Sequence, residues 1–259
     1  MSAELLINVT PSESRVVLIE NGILQEIHVE RHTKRGLVGN IYRGKVSRVL
    51  PGMQAAFVDI GLEKAAFLHA SDIVIHNEIA EEVSASHIQK QDIRELVRDG
   101  QDIVVQVVKD PIGTKGARLT TDITIPSRYL VFMPSVTHVG VSQRIEEEAE
   151  RERLKTLVQE FCDENGGFIL RTAAEGVGKA ELQQDAAFLR RLWDKIQSRM
   201  KKRKSNVLYE DLPLARRVLR DFVGTELDRI RIDSKLSFQE LFQFTKEYVP
   251  EMNGKLEYY

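Results

Sequence analysis

Residues 39–69 read GNIYRGKVSRVLPGMQAAFVDIGLEKAAFLH. Short apolar and β-branched runs are punctuated here by glycine and by Pro51-Gly52, the pattern of short strands joined by tight turns. Asn40–Val49, Gln54–Asp59 and Ala65–Leu68 read as three strands. Gln101–Lys109 is strongly β-prone, and Gly116–Leu119 supplies a fifth strand. Five short strands with a helical insertion before the fourth suit an OB-fold barrel running from Gly39 to Asp122. The insertion, Ile73 to Asp92, is acidic and has three of the six histidines in or near it, so it reads as a surface excursion.

Alternation sorts the side chains of this stretch. Phe57, Asp59 and Gly61 share one face, whereas Val58 and Ile60 share the other. A face carrying Asp and Gly makes a poor core, so Phe57 is a candidate base platform, with Phe67 as its companion. OB barrels hold single strands by stacking bases on exposed aromatics beside cations that meet the phosphates. Arg43, Lys45 and Arg48 on the first strand, and Lys115 and Arg118 near the last, are the candidate cations. The plainer reading of a strand phenylalanine is a core residue. Charge also weighs against nucleic acid. The chain of 259 residues carries a formal net charge of -2, so any affinity must come from a local patch. Between Gly39 and Asp122 there are ten Lys and Arg against twelve Asp and Glu, and the acids concentrate around the insertion.

Outward from the barrel, residues 4–30 read as an antiparallel meander. Leu5, Ile7 and Val9 alternate with polar neighbours, Arg15–Ile19 is apolar, Glu20-Asn21-Gly22 is a tight turn, and Ile23–Val29 alternates again. Its edge needs covering. The basic stretch 31–38 reads as a boundary. Beyond the barrel, Tyr129–Met133 and Phe168–Arg171 read as strands and Ile145–Cys162 as a helix. Ala180–Arg203 is a long helix with the stripe Leu182, Ala186, Leu189, Trp193, Ile196 and Met200. Residues 212–242 read helix, strand, helix, with Pro213 near the first start and Ser237 as N-cap of the last helix. The simplest organisation pairs the N-terminal meander with the C-terminal segment, the middle being inserted between them.

Few signals for catalysis are present. Cys162 is the only cysteine, which fits a reducing cytoplasm. The N-terminus lacks a signal-peptide pattern, and no apolar run is long enough to span a bilayer. The histidines show no metal-ligand spacing, and Gly176-Val177-Gly178-Lys179 is too short for a phosphate-binding Walker loop. Arg171-Thr172 at a strand end is able to hold a phosphate, the guanidinium giving a bidentate pair and the hydroxyl a donor. From spacing alone, a surface arginine in a turn is the simpler reading. Eight cations lie within residues 190–204. They read first as a solvated helix face with a favourable cationic C-terminus, and second as a phosphate-contacting patch. The acidic run Glu146–Glu152 reads as a solvated helix face. Asp228 and Asp233 are the nearest carboxylate pair, but an odd spacing along a strand points them to opposite faces.

The motifs NIYRGKVSRVLPGMQAAFVDIG, AAFLHASDI, TKGARLTTDI, RYLVFMP, GVSQRIE and GGFILRTAAEGVGK occur in an order and spacing that resemble the N-terminal half of the ribonuclease E/G family, from Leu5 to Tyr259. The resemblance implies an α/β plus β fold. An RNase H-like domain (1–38 and 212–259) would be split by an S-one type OB barrel (39–122) and a small α+β 5′-sensor domain (123–211). It implies that Arg171 and Thr172 sense an RNA 5′ monophosphate, with Ser127, Val131 and Arg144 matching other parts of that pocket. Ser127 stands where a better-known relative has glycine, and Gln143 where it has arginine. The family cleaves single-stranded RNA with magnesium held by two Asp of a DNase I-like domain that follows the matched region. A zinc-binding cysteine link follows and organises a homodimer or larger oligomer. The implied role is a bacterial, cytoplasmic endoribonuclease in rRNA maturation and mRNA decay. This chain is then expected to be its recognition half, with no catalytic residues, no metal site and no activity of its own. The alternatives are a stand-alone RNA-binding adaptor, or an enzyme acting through a site in the RNase H-like unit.

Overall fold

The computed structural model describes residues 3–74, 91–163, 166–202, 205–222 and 227–259. Most of the expected helical insertion therefore lies outside the described residues. Strands β1 (Ala3–Val9), β2 (Glu13–Glu20) and β3 (Ile23–Arg31) form the N-terminal meander. Asn21 and Gly22, at φ 50° and 78°, turn β2 into β3, the positive-φ pair that a tight hairpin requires. The barrel follows as β4 (Ile41–Leu50), β5 (Ala55–Asp59), β6 (Ala66–His69), β7 (Asp102–Lys109) and β8 (Arg118–Thr120), with a one-turn helix α1 (Ile93–Leu96) before β7. Next come β9 (Ile125–Pro126), β10 (Leu130–Met133), β11 (Val139–Val141), α2 (Glu148–Gln159), β12 (Gly167–Leu170) and α3 (Lys179–Lys202). The chain finishes with β13 (Val207–Tyr209), α4 (Leu214–Asp221), β14 (Arg229–Ile232), α5 (Lys235–Tyr248) and β15 (Leu256–Tyr258).

Three sheets result. The first has the order β15-β14-β1-β2-β3, in which β1 runs antiparallel to β2 but parallel to β14. Leu5 sits between Leu18 and Ile230, and Ile7 between Val16 and Ile232. All six of these side chains are buried. Leu219 of α4 and Leu241 and Phe244 of α5 belong to the same core. The second sheet, β11-β12-β10-β9, backs onto the α3 stripe, where Leu182, Leu189 and Ile196 are buried. The third is the barrel, closed because β4 pairs with both β5 and β7 while β6 and β8 run parallel. Val46, Val58, Leu68, Val105 and Leu119 fill it.

Several local expectations shift. The helix expected from Ile145 begins at Glu148, because Ile145 is buried in the preceding turn. Ser234, not Ser237, caps α5: its extended backbone aims its hydroxyl at the Ser237 N–H. The short strands β9, β11, β13 and β15 carry too few residues to show a period. The β3 edge stays open among the described residues, with Ile23, Leu24, Ile27 and Val29 all exposed.

Barrel closure depends on a close backbone approach at Gly116, where an added Cβ would lie 1.9 Å from the Ala65 carbonyl oxygen. Backbone cannot yield there without parting β6 from β8. Gly116→Ala is expected to destabilise the protein by about 1–3 kcal/mol or more, seen as a lower urea midpoint.

Candidate nucleic-acid interface

Phe57 and Phe67 are direct cross-strand partners on β5 and β6. Both are only partly buried, while their chain neighbours Val58, Ala66 and Leu68 fill the barrel. Their rings meet edge-on, 6.3 Å apart at 69°, a favourable aromatic geometry. Register continues the row in both directions: Arg48 of β4 opposes Phe57, and Arg118 of β8 opposes Phe67. A cation thus stands at each end of a half-buried aromatic pair. His69 extends the aromatic surface, its ring 6.5 Å from that of Phe67 and tilted 33°. Its Nδ1 accepts the Ser71 N–H at 3.1 Å. Alternation from Phe67 would have flagged His69. Arg118 is held by a two-point pair with Asp72, at 2.9 and 3.2 Å.

The other expected cations are placed differently. The Arg43 guanidinium donates to the Met200 carbonyl at the end of α3, which makes it a tether between barrel and helix. Lys45 is exposed, but its cross-strand neighbours are Asp59 and Asp102. Lys115 is exposed in the turn before β8, beside the Gly113 carbonyl that Lys64 holds at 2.6 Å. The cations in register with the rings are therefore Arg48 and Arg118.

A second site forms at one end of the four-stranded sheet. Arg171 and Thr172 leave β12 there, exposed. The Arg171 N–H donates to the Tyr129 carbonyl at 2.8 Å, and its guanidinium donates to the Ser127 carbonyl. Val131 opposes Ile169 one strand away. The Ser142 N–H donates to the Leu170 carbonyl, which places the exposed Arg144 just beyond the end of β11. The structure thus gathers Ser127, Val131, Arg144, Arg171 and Thr172 at one sheet end. Ser127 takes its place there through its backbone. Its side chain is fully buried, and its hydroxyl donates to Asp185. What it offers Arg171 is its carbonyl.

Asp185 anchors this corner. It is 7% exposed and accepts the Tyr129 and Leu130 N–H groups at 3.0 and 2.9 Å as well as the Ser127 hydroxyl. Burial pushes its carboxyl up, against these hydrogen bonds and the Arg220 charge, which pull it down.

The described cations of residues 190–204 divide: Lys201 and Lys202 are exposed, and the other four are held by partners. Arg190 donates to the Phe161 carbonyl, Arg191 to that of Tyr248 and Arg199 to that of Leu208, while Lys195 pairs with Glu247 at 2.6 Å. Arg203 and Lys204 lie outside the described residues. Asp228 and Asp233 bracket β14 and accept the Ala3 and Val9 N–H groups at 3.0 Å each. They serve strand pairing and do not fit a shared magnesium. Among the described residues no three His, Cys, Asp or Glu are grouped to hold a metal, and no helix is long and apolar enough to cross a membrane.

The closed five-stranded barrel is of the OB class, and the S1 RNA binding domain model matches residues 37–118. The Ribonuclease E/G family model matches residues 124–259, and the chain belongs to that family. Ribonuclease G of Escherichia coli (strain K12) is 67% identical over 260 residues, covering 100% of this chain and 53% of that protein. Ribonuclease G of Haemophilus influenzae is 62% identical over 259 residues, with the same two coverages. Ribonuclease E of Nostoc sp. is 37% identical over 213 residues, 82% of this chain and 30% of that protein. The chain spans about half the length of the Ribonuclease G relatives that it matches.

Asp185→Ala would leave the buried Leu130 N–H, the part-buried Tyr129 N–H and the buried Ser127 hydroxyl without an acceptor, each worth up to about 1–3 kcal/mol. Ser127→Ala removes the donor itself and leaves Asp185 its two N–H partners. Urea unfolding should show Asp185→Ala as clearly the more destabilising of the two.

Proposed function

We propose that this chain binds single-stranded RNA across Phe57 and Phe67 and reads a 5′ monophosphate at Arg171 and Thr172, as the recognition part of a ribonuclease G-like endoribonuclease. The observation that carries the first half is the row Arg48–Phe57–Phe67–Arg118 on the open face of a closed barrel. Two rings give two π-faces for successive bases, and stacking tolerates any base. The flanking guanidiniums are set to meet the phosphates on either side. For the second half, Arg171 is already steered by the Ser127 carbonyl, which leaves the rest of its fork for a phosphate, with the Thr172 hydroxyl alongside and Arg144 near. The order β15-β14-β1-β2-β3 with α4 and α5 on one face supports reading the two chain ends as one RNase H-like unit that carries the barrel and the sensor sheet.

Cleavage, the magnesium and zinc of the family and its homo-oligomeric assembly are assigned to the part of the relatives that this chain does not match. Its carboxylates supply no step. A role in rRNA maturation and mRNA decay follows from the same reading.

The test is anisotropy with one oligoribonucleotide carrying a 5′-monophosphate or a 5′-hydroxyl. Phe57→Ala and Phe67→Ala should each weaken both ligands by about 1–3 kcal/mol. Arg171→Ala should leave 5′-hydroxyl binding intact and remove the preference for the phosphate. That preference should grow as pH rises through about 6, where the phosphate gains its second negative charge while Arg171 stays cationic. Unchanged binding in both phenylalanine variants would rule out the barrel row, and equal affinity for the two ligands would rule out the 5′ reading.

A further inference from the structure

The segment from Thr172 to Gly178 joins the β12 end to α3. Its own hydrogen bonds are a 3-10 turn over Thr172–Ala174 and a bond from the Val177 N–H to the Ala174 carbonyl at 3.1 Å. Only Ala174 in it is buried, and Gly176 stands at φ 73° in open space. These bonds and the packing of Ala174 and Val177 hold its middle. Its Gly176–Val177 backbone is fastened further by α2, in the acidic run that reads in sequence as a solvated face. Glu150 accepts the Gly176 N–H at 2.8 Å. Arg153, one helical turn on, grips Glu150 at 2.6 and 2.7 Å and donates to the Val177 carbonyl at 3.1 Å. One carboxylate and one guanidinium thus clasp adjacent residues of the segment. Between them on α2, Arg151 donates to the Ser142 and Ile145 carbonyls at 3.0 and 3.4 Å, fastening the turn that bears Arg144. Both flanks of the sheet-end cluster are tied to the same helix.

We propose that Glu150, locked to Arg153, is a positioning residue for the 5′-phosphate site, holding the Thr172–Gly178 segment so that Arg171 and Thr172 meet one phosphate. This rests on the 5′-phosphate reading above. The carboxyl of Glu150 is held down to about 2, first by Arg153 and then by the Gly176 N–H. The clasp therefore stays ionised throughout the range in which RNA binding is measured.

The experiment compares the 5′-monophosphate and 5′-hydroxyl forms of one oligoribonucleotide by anisotropy, using the full chain. Wild type should prefer the phosphate by roughly tenfold or more, and Glu150→Ala should cut that preference by roughly fivefold or more. Its 5′-hydroxyl affinity should stay within about twofold of wild type, as for a surface change remote from the barrel. Glu150→Gln should recover part of the preference, because its carbonyl still accepts the Gly176 N–H. Should Glu150→Ala not fold, Arg153→Met, which removes the grip on Val177, decides by the same ratio. A wild-type preference retained in these variants overturns the positioning role, and so does a parallel loss of 5′-hydroxyl binding. A wild type with no preference overturns instead the 5′-phosphate reading, and the clasp falls with it.

Discussion

Strand β1 takes its partners from opposite ends of the chain, and the rest of the architecture hangs on that pairing. Leu5 and Ile7 face Leu18 and Val16 on one side and Ile230 and Ile232 on the other. Asp228 and Asp233 fix the register at both ends by accepting β1 N–H groups, and Asn8 adds a side-chain bond to Asp233. A slip of one residue would turn every buried side chain of the row to the wrong face. The entropy of joining ends some 225 residues apart grows only with the logarithm of loop length. A barrel with its own core, folded within that loop, shortens the distance to be closed. The pairing is thus tolerant of large inserted units but intolerant of register error.

Insertion creates a second demand, since both connections of the barrel must leave it without stranding backbone polar groups. Buried Gln106 meets it. Its amide donates to the Gly39 carbonyl where the chain enters and to the Thr124 carbonyl where it leaves, and its carbonyl accepts the Thr124 N–H. The Asn40 side-chain oxygen accepts the Asp211 N–H, β13 pairs with β4, and Arg43 holds the end of α3. These ties set the aromatic row at a fixed attitude to the sheet that carries Arg171. On the proposed reading, one RNA strand engaging both sites would meet two preset surfaces, which lowers the ordering cost of the second contact.

The barrel was legible in sequence because its signals are local. Alternation put Val58 and Ile60 inside and Phe57 outside, and the structure has them so. Asn21-Gly22 and the α3 stripe were legible for the same reason. What stayed hidden was partner choice. Arg43, Lys45 and Arg48 look alike on one strand, yet Arg43 ends on a carbonyl 157 residues away, Lys45 lies between two carboxylates, and Arg48 alone aligns with Phe57. Nothing local announces the Asp185 acceptor that draws Ser127 inward. Glu150 read as a solvent residue because its target, the Gly176 N–H, becomes a neighbour only after β12 and α3 are in place.

The same sorting of cations explains how a chain of net charge -2 can suit RNA. A large electrostatic share of affinity needs many cations free to displace counterions. Here Arg43 and Lys64 are drawn to carbonyls, and Arg94 and Arg118 to Asp92 and Asp72. Such fastening takes four of the barrel's ten cations out of that pool and fixes the direction in which each of them points. Arg118 shows the gain: Asp72 costs it part of its field yet fixes it at the end of the aromatic row, where a flexible arginine would have to be ordered by the ligand. On the proposed reading, the barrel draws its grip from stacking on two preset rings, with charge used for alignment.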